Sequence, residues 1–569
     1  MNKNIILKGM AGLLVAGSLV SCSDDYLDVK PVTSIDTNTV TGTTEGAQQG
    51  IYGICNSMMF PYSSFASIVR FFSGEASLMT FYGEVPSPDY FSMEWARSGA
   101  DFMNWEYMQR DQYTPCYVGW MYCYNLISQA NNILAGIDEA TGTDTERAFV
   151  KAQALTMRAH GYVQLMKIYG PRWEDSKDGT RYALVERLTP GVGDAPIVTI
   201  NQTMDQIYKD LDLAIQLYGE ANKDRGHSWE PNIDVARGIY ARAAILKNDY
   251  AKAREMASLA RKNYPIMSAA EYMQGFVYEN PEYMWTNGDD ETVCGYWNWG
   301  TINACNGAYV SFWGNGSGMI NYDLVRTMKD DDIRLNMFWT PRAKLDGVNA
   351  SVNASAFWNE DVVDVTTMNC NGNQLMKIRI GEIGQDYKAN VPGSTGANFK
   401  DSYSLDGESG AASEIQVPFG AHFKFWGWGS YTTSQFPFMR GAEMLLIEAE
   451  AAYKLNDQAA CRALLTELNS QRHTEAYDIS SLSGEDLWNE LTNSSRYELW
   501  GEGHTWFNMK RWQMTAVRNP WVSGDTESNN IPQIYKSSHS PEAQDGWRWT
   551  IPYQETNVNK GADRNLLNY

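Results

Sequence analysis

Two sets of residues in this chain have types and spacings that could do chemistry. The first is Arg496, Glu498, Glu502 and His504. Two carboxylates beside a histidine can act as general acid and base if they share a cleft. On a helix, however, Arg496 and Glu498 are two positions apart and point to different sides. Gly501 and Gly503 mark a turn between Glu498 and His504. Trp500, Trp506, Phe507 and Trp512 interleave with the charges as core anchors would, so this stretch is expected to be structural, with no catalytic residue. The six histidines (His160, His227, His422, His473, His504 and His539) show no H-E-x-x-H spacing. Asp330-Asp331-Asp332 lacks the alternating oxygen ligands of a calcium loop and reads as a solvated acidic turn. No phosphate-cradling glycine loop or nucleophile elbow is present. No metal or cofactor is expected.

The second set is aromatic. Rings make up 13% of the chain, with 20 Trp and 33 Tyr, and such a density implies that some of them face outward. Indole and phenol rings offer a broad apolar face with a polar handle, which suits the C–H face of a sugar. Three clusters stand out: Phe81, Tyr82, Tyr90, Trp95 and Trp105; Tyr296, Trp297, Trp299, Tyr309 and Trp313; and Phe425, Trp426 and Trp428. Core packing is the default for any one ring. Rings on Gly- and Asn-rich stretches are harder to bury, which favours Trp297, Trp299 and Trp313 as ligand contacts. Trp426 and Trp428 could equally form a seam between a lobe and a helix.

A third chemistry is placed at the N-terminus. Lys3 and Lys8 precede the apolar run Met10–Val20, the layout of a signal peptide. The run is too short for a membrane span, which needs about 20 apolar residues. Leu19-Val20-Ser21-Cys22 resembles a bacterial lipobox, so Cys22 is expected to be the lipidated residue of the mature chain; an ordinary signal peptide with a chance cysteine is the alternative. Acyl chains add roughly 0.8 kcal/mol of membrane affinity per buried CH₂. Residues 22–45 are polar and Thr-rich and read as a tether. Ser23-Asp24-Asp25 resembles the surface-export signal of Bacteroidetes lipoproteins, or is simply a solvated part of the tether.

Charge narrows the classes further. The formal net charge is −22, and loss of residues 1–21 takes Lys3 and Lys8 with it. So acidic a chain argues against nucleic acid, whose phosphates it would repel, and leaves the lipid as its only membrane contact. Of eight cysteines, the seven beyond Cys22 are scattered, with no C-x-x-C. Cys294 and Cys305 could bridge, but the set reads as buried thiols.

The elements that must position these residues are mainly helical. Cys116–Ala140 and Thr145–Tyr169 carry apolar residues on one face and should form an antiparallel pair ended by Gly170-Pro171. Thr203-Met204-Asp205-Gln206 reads as a capping box opening a helix to Tyr218. Asp234–Leu246 with Tyr250–Lys262, and Met439–Leu455 with Gln458–Gln471, form two further pairs. Ser483–Trp500 with Gly503–Trp512 is a fourth. The segments Ala243–Ala251 and Ala451–Ala459 look alike, each with small residues before an Asn-Asp turn. That is the logic of a tetratricopeptide-type pair; chance likeness of two Ala-rich pairs is the alternative. From about 265 to 438 the helical period fades into Gly, Asn, Ser and aromatic residues. So long a stretch cannot be one structureless loop, and it reads as an irregular lobe with short strands such as Leu375–Ile380.

Four segments together resemble the SusD/RagB family of Bacteroidetes outer-membrane lipoproteins. They are the leader into Cys22-Ser23-Asp24-Asp25-Tyr26-Leu27-Asp28, Ala152–Ala159 through Tyr169-Gly170-Pro171, Met439–Ala451, and Arg496–Trp512. Trp549-Thr550-Ile551-Pro552, with Glu555 and Asn557, also looks like the family's ending. The resemblance spans essentially the whole chain. It departs at Gly441, where the family often has a bulkier residue, and in the aromatic inserts. It implies a mainly α fold, in which tetratricopeptide-like antiparallel helix pairs (about 116–262 and 439–512) support the irregular lobe (about 265–438) within one SusD-like domain over 46–569. It also implies a non-enzymatic cell-surface lipoprotein of the outer membrane that captures glycan and passes it to a SusC-like TonB-dependent transporter. By analogy with the family, glycan sites draw on rings from the early segment and the lobe, so Trp95, Trp105, Trp297, Trp299 and Trp313 are the expected contacts. A peptide or glycopeptide binder, a surface glycosidase and a pure protein scaffold are the competing readings.

Overall fold

Apolar residues recurring every three or four positions set most of the helices, and those helices pack in chain order. The structure, a computed structural model, describes residues 41–59, 74–91, 102–103, 105–191, 193–273, 275–276, 279–288, 305–306, 318–338, 340–343, 376–379, 414–417, 419–420, 422, 424–427, 435–522, 524–525, 527–531 and 533–566. Helix α1 (Thr44–Met59) buries Ala47, Ile51, Ile54, Cys55 and Met58 on one face. It begins within the stretch read as tether, because the Thr44 amide donates to Thr141 O at 2.9 Å and Thr43 bridges Thr141. Helix α2 (Gly74–Gly83) is buried along its whole length.

Helix α3 (Thr114–Leu134) starts on Pro115, whose missing N–H costs nothing at a helix start. Helix α4 (Asp144–Tyr169) opens with a complete capping box between Thr143 and Glu146 and is buried throughout from Ala152, which makes it the central helix. Gly161 lets α3 lie close: a Cβ there would sit 2.7 Å from Ile127 Cγ1. At the far end of α4, Lys510 Nζ donates to the Lys167 and Gly170 carbonyls at 3.0 and 2.8 Å, a cation on the negative end of the helix dipole.

Helix α5 (Ile200–Ala221) begins a turn earlier than its expected capping box. Thr199 and Gln202 form the box, while Thr203 is buried and donates back to Thr199 O at 3.2 Å. The Thr-x-x-Gln pattern occurs twice, four residues apart, and local chemistry cannot choose between the copies. Strand pairing chooses: β3 (Ile197–Thr199) lies antiparallel to β2 (Tyr182–Val185), with Thr199 opposite Tyr182, so the helix must start where the strand ends.

Helices α6 (Ile233–Leu246) and α7 (Tyr250–Ala260) form one pair; α8 (Gly441–Lys454) and α9 (Gln458–Asn469) form another. Their turns match bond for bond. Asn248 and Asn456 both take the left-handed conformation, at φ 58° and 63°. The Asp249 and Asp457 amides donate to Ala244 O and Ala452 O, each at 2.9 Å. Each Asp side chain then caps the next helix, accepting from Lys252 N and Ala460 N at 3.1 Å. The likeness in sequence is therefore structural repetition and not chance. Although about 180 residues separate them, α7 packs directly on α8, with Arg261 reaching Glu448 at 2.8 Å and Glu467 at 2.6 Å. The array is continuous in space, and α10 (Gly484–Glu498) and α11 (Thr505–Arg511) complete it.

The lobe leaves and rejoins this array through one ladder. Strand β4 (Tyr283–Thr286) pairs antiparallel with β10 (Pro437–Arg440), and β10 runs straight into α8. Strand β1 (Tyr90–Phe91) pairs with β6 (Met319–Ile320), β5 (Cys305–Asn306) with β9 (Trp426–Gly427), and β7 (Met376–Arg379) with β8 (Glu414–Val417); β7 falls on the strand expected at Leu375–Ile380. Near the C-terminus β11 (Ala516–Arg518) pairs with β12 (Ser537–His539). One apolar core runs through both parts, and a smaller one fills the space among α8, α9 and α10. Cys55, Cys116, Cys123 and Cys461 are buried free thiols, and burial pushes Cys461 up to about 12. Cys294 lies outside the described residues. No helix among them is long and apolar enough to cross a membrane.

Candidate functional site

The charged stretch after α10 is a sealed ion network. Glu498 accepts from Arg472 Nε at 2.9 Å, Arg440 Nη1 at 3.0 Å and Arg334 Nη1 at 3.2 Å. Glu502 accepts from Arg440 Nε at 2.7 Å and Lys424 Nζ at 2.6 Å. Arg440 also reaches Glu282 at 2.8 Å. Glu282 in turn accepts from the Ala442 and Met267 amides, at 2.8 and 2.7 Å, so a remote carboxylate caps the positive end of α8. Every one of these side chains is at most 1% exposed. Burial alone would raise the Glu498 carboxyl, but Arg472 and Arg440 outweigh it and hold it far below the carboxylate range. Glu502 is lowered in the same way, Arg440 and Lys424 overcoming its burial. Neither group can exchange a proton near neutral pH, and neither faces solvent.

As helical spacing implied, Arg496 turns away from Glu498, to Asp89 at 2.6 Å. The acidic triplet is solvated only in part: Asp330 stays exposed beside Arg342 at 2.6 Å and Asp331 is partly covered beside His473 at 3.1 Å, but Asp332 is buried against Arg334 at 2.7 Å. No grouping able to hold a metal ion occurs among the described residues. The network joins the lobe (Glu282, Arg334, Lys424) to the array (Arg472, Glu498, Glu502), which gives the lobe a rigid base. Sequence reasoning passed over Glu282, Lys424, Arg440 and Arg472. Their signal was a single charge set among aromatic or apolar neighbours, as in Phe423-Lys424-Phe425 and Phe438-Met439-Arg440.

Trp105 is not a ligand contact. It is 2% exposed, stacked on His539 at 4.1 Å and edge-on to Trp547 at 4.7 Å, and its Nε1 donates to Pro86 O at 3.0 Å. The C-terminal segment folds back over it, where the Thr550 amide donates to Met108 O at 2.8 Å. Phe81, Tyr82 and Tyr90, from the same cluster, are likewise core residues. Phe425 is buried against Phe276 and Phe436, and nothing described bears on the seam reading of Trp426 and Trp428. Cys22, Trp95, Trp297, Trp299 and Trp313 lie outside the described residues.

The model of a family described as the SusD family matches residues 244–569. A second family model, described as starch-binding and associating with the outer membrane, matches residues 75–242. Among solved structures, the chain is similar to a SusD-like carbohydrate binding protein from Bacteroides vulgatus, with a TM-score of 0.66 at 20% identity, covering 92% of this chain and 98% of that one. A SusD superfamily protein from Bacteroides thetaiotaomicron gives 0.63 at 16% identity, covering 92% and 99%. One from Parabacteroides distasonis gives 0.60 at 14% identity, covering 91% and 98%. No curated protein matches the chain significantly. The structural likenesses establish the fold, and the match over residues 244–569 shows that the chain belongs to the SusD family.

Proposed function

We propose that this protein is a lipoprotein anchored through Cys22 on the outer face of the outer membrane, where it captures oligo- or polysaccharide and delivers it to a SusC-like TonB-dependent transporter. Family membership is the observation that carries the reading. The glycan contacts are Trp95, Trp297, Trp299 and Trp313. The acidic chain suits neutral glycans, since acidic polysaccharides would be repelled.

Affinity electrophoresis against a panel of neutral polysaccharides tests this. One or more should retard the wild-type protein without releasing reducing sugar, and Trp313→Ala together with Trp297→Ala should abolish the retardation. Wild-type retardation by the double variant would overturn the site. Protease shaving of intact cells tests the location: a fully protected protein would place it inside the envelope.

A further inference from the structure

A crevice opens among α4, α6, α8, α10 and α11. Lys167, Arg242, Glu443, Glu450, His504 and Arg511 supply its ionisable lining, and Leu491 and Leu499 are among its apolar walls. Two of the three cations are already satisfied. Arg242 donates to both Glu443 oxygens at 2.6 and 2.7 Å and to Phe438 O at 2.6 Å. Arg511 donates to both Glu450 oxygens at 2.6 and 3.0 Å.

Lys167 is different. It is 6% exposed, yet among the described residues its ammonium has neither an ion pair nor a hydrogen bond; it lies 4.4 Å from the centre of the Phe507 ring. The imidazole of His504 also lines the space, with Nδ1 3.6 Å from Glu443 Oε1, beyond hydrogen-bond reach. The lining therefore carries one uncompensated positive charge and an unengaged imidazole, both facing the same small space. A buried ammonium without a partner is costly, and an anion supplied from solution would complete it.

We propose that this crevice binds a small carboxylate anion, with the Lys167 ammonium as its counter-ion and His504 as a second donor. The cavity measures about 40 Å³, room for roughly three water molecules. That is enough for formate or acetate, and none of the rings expected to contact glycan lines it. Burial, then Arg242, brings Lys167 down to about 7 against the opposing pull of Glu443. Lys167 thus stands near the midpoint of its titration at neutral pH, where a bound anion draws it to the charged form.

Two measurements on the full chain test the proposal. The first is saturation-transfer NMR of the acetate methyl at pH 6.5, with ionic strength held constant. Transfer is expected in the wild type, with displacement by formate and loss in Lys167→Met. The second is thermal unfolding over the same acetate series. The wild-type Tm should rise by about 2 °C or more at saturation, while that of Lys167→Met stays flat. No methyl transfer in the wild type, or equal transfer and equal Tm response in the two proteins, would overturn the site.

Discussion

The turns after α6 and α8 repeat bond for bond, whereas the base of the lobe repeats nothing. In the array each turn is a local solution: an Asn in the left-handed conformation, an Asp capping the next helix, and small residues that let the helices close. At the base of the lobe the strands are two to four residues long. A two-stranded ladder is marginal by itself, so the lobe is held by charges meeting across large sequence separations. Arg440 finds Glu282 158 residues earlier and Glu502 62 residues later. The array is therefore expected to tolerate loss of one local contact, and the lobe to tolerate poorly the loss of one charge.

The largest effect should come from Glu498→Gln. It leaves Arg334, Arg440 and Arg472 facing a neutral group inside the protein, and breaking a buried pair in this way costs about 3–5 kcal/mol. Denaturant unfolding should show that loss; a change below about 1 kcal/mol would mean that the network is not what holds the lobe. Trp105→Ala should cost about as much, 3–5 kcal/mol for a large ring removed from the core, while leaving glycan retardation intact in whatever fraction remains folded. Trp313→Ala should do the reverse, reducing retardation with no measurable loss of stability. A stability loss at Trp313 and a binding loss at Trp105 would invert the assignment of the two rings.

Gly441→Ala tests the junction of the two regions. A Cβ there would lie 2.6 Å from Tyr264 O, a backbone atom that cannot swing aside, and such overpacking costs about 1–3 kcal/mol. Smaller still, Asp249→Ala and Asp457→Ala should each cost about 1 kcal/mol of helix capping, and by similar amounts if the two turns are equivalent. A twofold difference would show that the surroundings and not the motif set the cap's worth.

Acid should separate the regions as well. Glu498 and Glu502 have folded pKa values below their unfolded ones. Their contribution is complete above the unfolded carboxylate range, near pH 4.5, and is lost as pH falls through the folded values. Glu84 is opposite: burial, only partly offset by the hydrogen bonds from Gly501 and Thr505, raises it to about 8. Its contribution is complete below about pH 4.5 and is lost as pH rises through 8. Glu84→Gln should therefore flatten the fall in stability between pH 5 and 8 and leave the acid limb unchanged; urea midpoints across pH 3–9 would show both.

Much of the array was legible because its rules are local. The helix pairs at 114–169, 233–260, 441–469 and 484–511 lie within a few residues of their expected bounds, since periodicity, caps and Gly-Pro stops all act within one or two turns of chain. The expectation failed at Thr203, where two identical capping patterns competed and a strand pairing decided. It failed at Asp332, an acid that looks solvated but is buried against Arg334. Trp105 was misplaced because nothing near it announces that the C-terminal segment returns to cover it.

The sequence by itself determined that this is a paired-helix protein interrupted by an aromatic-rich lobe. It determined this because amphipathic period and capping are properties of neighbours along the chain. Only the tertiary structure decided which charges are buried together, which rings are core, and that Lys167 has no charged partner among the described residues. Those outcomes depend on residues tens to hundreds of positions apart meeting in a low-dielectric interior, where the identity of the partner, and not of the residue, sets the energy.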